Sequence, residues 1–271
     1  NYVATGGSLE KVACLDNFCW PDPVKSEKAP DGEYKLAQLV RANMALYDFA
    51  VSYRMPPISG KDSMKNDYAM EDKRISVPPT LLITAVGKIE DAGKAVTIDV
   101  KRPGDIVYVL GTTKEEMGGS EFYAMKGFVG NSVPKVDAKS SYALYRKLAG
   151  AIKGGLAASC HDCSDGGLGV ALAESAFAGM LGMEIDLRAV PREGVSRNDS
   201  LLFSESQGRL VVTVSHQNAL KFEKAMRGVP CARVGKVRDD GAFIAIGLGG
   251  EQVVKSDVSA LKGAWKRTLS W

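Results

Sequence analysis

Apolar positions recur in short runs broken by Pro, Gly and charged clusters, and this periodicity and punctuation predict the elements. Lys11–Trp20 reads as a strand, and Pro21-Asp22-Pro23 with its polar sequel reads as a loop. From about Tyr34 to Tyr53, Leu36, Leu39, Val40, Ala42, Met44, Leu46, Tyr47, Phe49 and Ala50 spread over several turns without Gly or Pro, which predicts a long, largely buried helix. Pro56-Pro57-Ile58 leads into a turn at "SGKDSMKND", and Thr80–Val86 reads as a second strand. The chain restarts near Lys101-Arg102-Pro103-Gly104-Asp105, because "GDIVYVLGTT" has the look of the first strand of a fresh unit. A boundary there divides the chain into domains 1–100 and 101–271. Beyond it, Leu144–Ile152 and Leu168–Leu181 read as helices, Leu210–Val214 and Ala242–Ile246 as strands, and Ala260–Leu269 as a final short helix. The mixed order predicts an α/β or α+β class.

Composition narrows the function classes. Of 271 residues, 45% are hydrophobic and 25% charged, with a formal net charge of +3, which suits a soluble globular chain and gives no sign of a nucleic-acid protein. The longest apolar stretches, such as Leu81–Val86 and Leu168–Ala173, are too short to cross a bilayer, and no leader is seen at Asn1, so a cytoplasmic protein is expected. Asn1 is an odd natural start, and a fragment of a longer chain is expected. Five cysteines, Cys14, Cys19, Cys160, Cys163 and Cys231, suggest reduced thiols.

The stretch "SCHDCSDGGLG" holds a Cys-x-x-Cys pair, but the flanking acidic groups oppose thiolate formation, and the looser Cys14/Cys19 pair is a poor complement for tetrahedral zinc. Two small buried cysteines are the expectation. Here a strand is expected to end near Ser159 and a helix to begin at Gly167 or Leu168, with Ser164 and Asp165 in capping range. The glycines admit a close ligand, and free N–H groups at a helix start attract anions. Asp162 and Asp165 would repel a bare phosphate, whereas Mg²⁺ between carboxylate and phosphate resolves the conflict. The alternative is a capped helix whose aspartates only satisfy its N–H groups. In "SGKDSMKND", Lys61 offers a charge for phosphate, and Asp62 and Ser63 offer a metal ligand and a hydroxyl; the alternative is a solvated loop. "MGGSEFYAMKG" places Ser120 as an N-cap with Glu121 in the first turn, and in "LFSESQGRLVVTV" Arg209 either clamps an anion or pairs with Glu205.

Taken in order, "PPISGKDSMKND", "MGGSEFY", "HDCSDGGLGVALAESAFAG" and "LFSESQGRLVV" closely resemble the second synthetase half of the phosphoribosylformylglycinamidine synthase family, within the aminoimidazole-ribonucleotide-synthetase-like superfamily. The likeness runs from "NYVATGGSLEKVACLDNFCWPDP" to "LKGAWKRTLSW". It implies an N-terminal α/β domain contributing strands to a shared barrel, a larger C-terminal α/β domain, and an ATP-dependent, Mg²⁺-requiring ligation. In that reaction formylglycinamide ribonucleotide, ATP and ammonia give formylglycinamidine ribonucleotide, ADP and phosphate. The resemblance assigns Asp16 and Gly60 to ATP, Ser63 to the substrate, Asp162 to Mg²⁺, Ser164 to the nucleotide, and Asn1 to a metal site whose glutamate partner falls outside the chain. Lys61 stands where the smaller family form has a metal-binding Asn, and a phosphate role suits it. The family's catalytic histidine belongs to the first half and its glutaminase triad to another domain or subunit, so both are implied partners, and self-association through uncovered strand edges is expected. His161 is read as a structural hydrogen-bonding residue and His216 as a surface one. Two alternatives stay open: a half that holds a nucleotide only as a structural element, and another superfamily member such as a thiamine-phosphate or selenophosphate kinase-like enzyme.

Overall fold

The computed structural model describes residues 1–71 and 73–269. They group into two compact units, one formed by Tyr2 with Gly7–Lys88 and the other by Asn1, Val3–Gly6 and the chain from Ile89 onward.

In the smaller unit, β1 (Val12–Cys19) is the middle strand of three, parallel to β2 (Pro57–Ser63) and antiparallel to β5 (Thr80–Gly87), and α1 (Gly32–Tyr53) makes the crossover from β1 to β2. A hairpin of β3 (Asp67–Met70) and β4 (Lys73–Ser76) completes it. Val12, Cys14 and Phe18 alternate into the interior along β1, and Trp20 follows them, donating its indole N–H to the Lys35 carbonyl at 2.9 Å. That bond ties the end of β1 to the first turn of α1.

Two sequence expectations change here. The helix forms where the apolar pattern puts it, yet within α1 only Gly32 and Lys35 are buried, while Tyr34, Met44 and Tyr47 are 68%, 63% and 69% exposed. The apolar residues run right round the helix, and a three-stranded sheet covers only a narrow stripe of it. The expected turn at "SGKDSMKND" is mostly strand: Ser59–Ser63 pair residue by residue with Leu15–Cys19, leaving only Met64–Asn66 to connect β2 to β3. Ladder pairing to β1 outweighs the poor intrinsic strand preference of Gly, Lys and Asp.

The larger unit is built on a seven-stranded mixed sheet. Its strands are β6 (Ile106–Leu110), β8 (Ser159–Asp162), β9 (Gly182–Asp186), β11 (Leu210–Val214), β12 (Cys231–Arg238), β13 (Ala242–Ile246) and β14 (Gln252–Asp257). They lie in the order β14-β13-β9-β12-β6-β11-β8, with β9 and β13 the one parallel neighbour pair. Two residue pairs, β7 (Thr113–Lys114) and β10 (Arg192–Glu193), form a separate short ladder. The helices are α2 (Glu121–Met125), α3 (Ala138–Lys153), α4 (Gly167–Gly179), α5 (Asn198–Phe203), α6 (Ala219–Ala225) and α7 (Val258–Arg267).

Every residue of β6 and β11 is buried, as continuous apolar runs covered on both faces should be. On one face Val107, Val109 and Val211 pack in a single core with Leu168, Leu172 and Ala176 of α4, Leu201 of α5 and Val258 of α7. On the other, Tyr108 meets Phe222 of α6 with ring centroids 5.0 Å apart and donates its hydroxyl to Glu223 at 2.8 Å. This buried sheet holds β8 rigidly through Asp162, which is opposite Leu210 of β11. The strand therefore runs past the expected end at Ser159 and carries His161 and Asp162 on its last two positions.

Candidate nucleotide and cation site

The chain from β8 into α4 turns on two consecutive left-handed glycines, Gly166 at φ 78° and Gly167 at φ 70°. A Cβ on Gly167 would stand 2.4 Å from the Ser204 carbonyl oxygen, so both backbone conformation and space require glycine. The N-cap is Gly166, without a side-chain cap; neither Ser164 nor Asp165 caps the helix, contrary to the sequence expectation. The Gly167 N–H donates to the Ser164 carbonyl at 3.0 Å, and the Gly166 N–H donates to Glu205 Oε1 at 2.9 Å. The same Glu205 oxygen accepts the Glu121 N–H at 2.9 Å, joining the starts of α2 and α4. The anion at the start of α4 is thus the protein's own carboxylate. Glu205 is far along the chain from both Glu121 and Gly166, so no local pattern marks this bridge in the sequence. Arg209 is 1% exposed and donates to the Ser206 and Ser204 carbonyls and the Thr113 hydroxyl, so it staples the loop to β7, with no hydrogen bond to Glu205 among those of the described residues. Ser120 accepts the Tyr123 N–H at 3.3 Å and caps α2 as expected.

Around Asp162 the oxygens converge. Ser164 donates its hydroxyl to Oδ2. The Asn1 amide faces both carboxylate oxygens at 2.5 and 2.8 Å, and as a donor its nitrogen bonds to each. In the opposite amide orientation its carbonyl oxygen joins Asp162 in an all-oxygen set. His161 Nδ1 lies 3.5 Å from Asp162 Oδ1, an ion-pair contact, and its Nε2 is 2.8 Å from Glu174 Oε2 on α4. The His161 contact, helped by Ser164 against the opposing effect of burial, holds the Asp162 carboxyl well below the usual carboxylate range. Burial works against charge on His161, but Asp162 and Glu174 outweigh it and push the ring up to about 9. His216 is exposed.

The thiols stand apart from this chemistry. Cys160 and Cys163 are 1% and 5% exposed, and Cys163 belongs to the apolar core. Burial pushes the Cys163 thiol up to about 11 and the Cys160 thiol higher still, which leaves almost no thiolate at neutral pH.

In the smaller unit, Asp16 of β1 is in register with Gly60 of β2, and Asn17 with Lys61. Alternation puts Asp16 and Gly60 on one face of the strand pair and Lys61 and Ser63 on the other, where the Lys61 ammonium donates to the Ser63 hydroxyl. The seven sequence-proposed residues therefore fall into three groups: Asn1 with Asp162 and Ser164, Asp16 with Gly60, and Lys61 with Ser63. Among the described residues no three His, Cys, Asp or Glu side chains converge to hold a metal. A cation here would rest on Asp162 and the Asn1 oxygen and take its remaining ligands from phosphate and water, a mixed set of the kind Mg²⁺ accepts.

The family described as AIR synthase related protein, C-terminal domain, matches residues 102–247. Phosphoribosylformylglycinamidine synthase subunit PurL of Methanocaldococcus jannaschii is 34% identical over 264 residues, covering 96% of this chain and 34% of that protein. The chain thus spans about a third of the length of this curated relative. Among solved structures, PurL of T. maritima complexed with FGAR superposes with a TM-score of 0.71 at 20% identity, over 96% of this chain and 40% of that one. Hydrogenase maturation protein HypE in complex with ATP gives a TM-score of 0.68 at 18% identity, over 94% of this chain and 75% of that one. At these identities the structures speak to the fold, which is the mixed α/β architecture expected from the sequence. The buried mixed sheet, the glycine turn into α4 and the match over residues 102–247 make this chain a member of the AIR synthase related family.

Proposed function

We propose that the chain is the second synthetase half of a phosphoribosylformylglycinamidine synthase, with an N-terminal synthetase-like domain at 1–100 and a C-terminal one at 101–271, acting in ATP-dependent amidation of formylglycinamide ribonucleotide. The observation that carries this reading is the 34% identity to PurL over 96% of the chain. A bound Mg²⁺ would neutralise phosphate charge beside Asp162 and Asn1. Asp162, kept ionised by its neighbours, needs no proton loss to act as a ligand, and Ser164 turns its hydroxyl from Asp162 to the nucleotide. Lys61 offers a point charge to phosphate oxygens and Ser63 a hydroxyl to the substrate. Asp16 accepts from a nucleotide donor across the bare Gly60. Ammonia reaches the activated amide from a glutaminase partner, and the first synthetase half supplies the general base.

The test is reconstitution. The chain, the remaining two thirds of a PurL-length protein, or both are incubated with ATP, Mg²⁺, formylglycinamide ribonucleotide and ammonium, and ADP and product are followed together. Product only from the combined halves is expected. Turnover by the chain alone would overturn the division of the site, and nucleotide retained by combined halves that make no product would overturn the catalytic reading in favour of a structural nucleotide.

A further inference from the structure

His161 and Asp162 are successive residues of β8, and the His161 ring is gripped from both sides. Its Nε2 lies 2.8 Å from Glu174 Oε2, and its Nδ1 lies 3.5 Å from Asp162 Oδ1. Nδ1 is buried and meets no hydrogen-bond partner among the described residues, and its ion-pair contact is with Asp162. Both anchors are stiff. β8 pairs with β11 through His161↔Val211 and Asp162↔Leu210, and α4 buries Leu168, Leu172 and Ala176 in the core while presenting Glu174 to the ring. The other groups on Asp162 are less constrained, since Ser164 is exposed in the glycine turn and Asn1 is exposed at the chain end.

We propose that Glu174, acting through His161, is a positioning residue that fixes the Asp162 carboxylate for its cation and thereby sets divalent-metal affinity; this rests on reading Asp162 as a cation ligand. Outer partners that orient metal ligands are worth about 10–100-fold in metal affinity, and here the partner is the 3.5 Å ion-pair contact of His161 with Asp162. Glu174 lies two turns into α4, outside the glycine motif, and touches neither nucleotide nor cation in this reading.

The experiment is a Mn²⁺ titration of the full chain in the presence of ADP, followed by electron paramagnetic resonance. Metal-free ADP binding is measured calorimetrically on the same samples. Glu174→Ala should weaken Mn²⁺ binding about 10-fold or more and leave metal-free ADP binding unchanged. Glu174→Gln, whose amide oxygen still accepts from the ring N–H, should restore most of the loss, and Asp162→Asn should remove the site. If Glu174→Ala fails to fold, His161→Asn carries the same expectation. A wild-type chain without Mn²⁺ binding, or Asp162→Asn binding as well as wild type, overturns the cation reading. A strong loss with Asp162→Asn but none with Glu174→Ala, or no rescue by Glu174→Gln, leaves that reading standing and overturns the positioning role.

Discussion

A Cβ at Gly60 would stand 2.0 Å from Asp16 Oδ1. The carboxylate occupies the space that any other residue at position 60 would fill, and the parallel register of β1 and β2 holds the two together. Because the obstructing atom is the tip of a short side chain, Gly60→Ala should turn Asp16 aside and leave the sheet intact. ADP affinity is expected to fall about tenfold, the cost of one lost hydrogen bond, with little change in melting temperature. Calorimetric titration beside a thermal scan checks this, and a large drop in melting temperature with unchanged affinity would contradict it.

Glu205 serves the starts of α2 and α4 with a single oxygen. Glu205→Ala should leave two N–H groups without their acceptor and destabilise the larger unit by about 1–3 kcal/mol. Glu205→Gln keeps an acceptor oxygen and should cost less. Urea unfolding of the two variants should rank them in that order; equal costs would mean that the negative charge matters and the hydrogen bonds do not.

Cys160 and Cys163 should resist iodoacetamide in the native protein near pH 7.5 and react only on unfolding, because both are buried with raised thiol pKa values. Replacing both with Ala should lower stability modestly through lost packing and leave nucleotide binding unchanged. Peptide mass spectrometry after labelling reads the first outcome, and rapid native labelling of either thiol would refute it.

Asp67 gives the smaller unit an acid-sensitive clamp. Burial alone would raise its pKa, but hydrogen bonds from the Ser76 hydroxyl, Arg74 and the Asp22 N–H outweigh it and hold the carboxyl at about 2. A folded-state value below the ordinary 3.8 means that the stabilisation is complete above about pH 4 and is lost as pH falls from there towards 2. Asp67→Asn should therefore lower stability at neutral pH and flatten its decline below pH 4. Denaturant midpoints between pH 6 and pH 2.5 would show parallel curves for variant and wild type if the clamp were unimportant.

Much of the framework is legible in the residues. An apolar run marks β11 with its observed bounds, since a strand buried on both faces needs no alternation to be recognised, and β13 is marked likewise although only its Phe243 and Ala245 are buried. Polar strands escaped: β2 carries Ser59, Gly60, Lys61 and Asp62, and its identity lies in the ladder to β1, which local preference does not encode. The exposure of α1 departs from its apolar pattern because spacing tells which residues seek cover, whereas the size of the sheet beneath them is a tertiary fact. Near the candidate site, the glycine turn and Asp162 could be seen in "HDCSDGGLG", but Glu174 and Glu205 could not. Each reaches it from a separate element, one through an imidazole ring and the other by bridging two helix starts.

The place of β6 in the middle of its sheet bears on biosynthesis. Both of its neighbours, β11 and β12, are translated long after it. Ile106–Leu110 must wait on the order of ten seconds at ordinary elongation rates before Cys231–Arg238 emerges to cover its open edge. During that interval an uncharged, strongly strand-forming segment, Ile-Val-Tyr-Val-Leu, stands ready to pair with other nascent chains. Ribosome-bound chains truncated ahead of Cys231 should accordingly recruit holdase chaperones that the completed unit no longer needs.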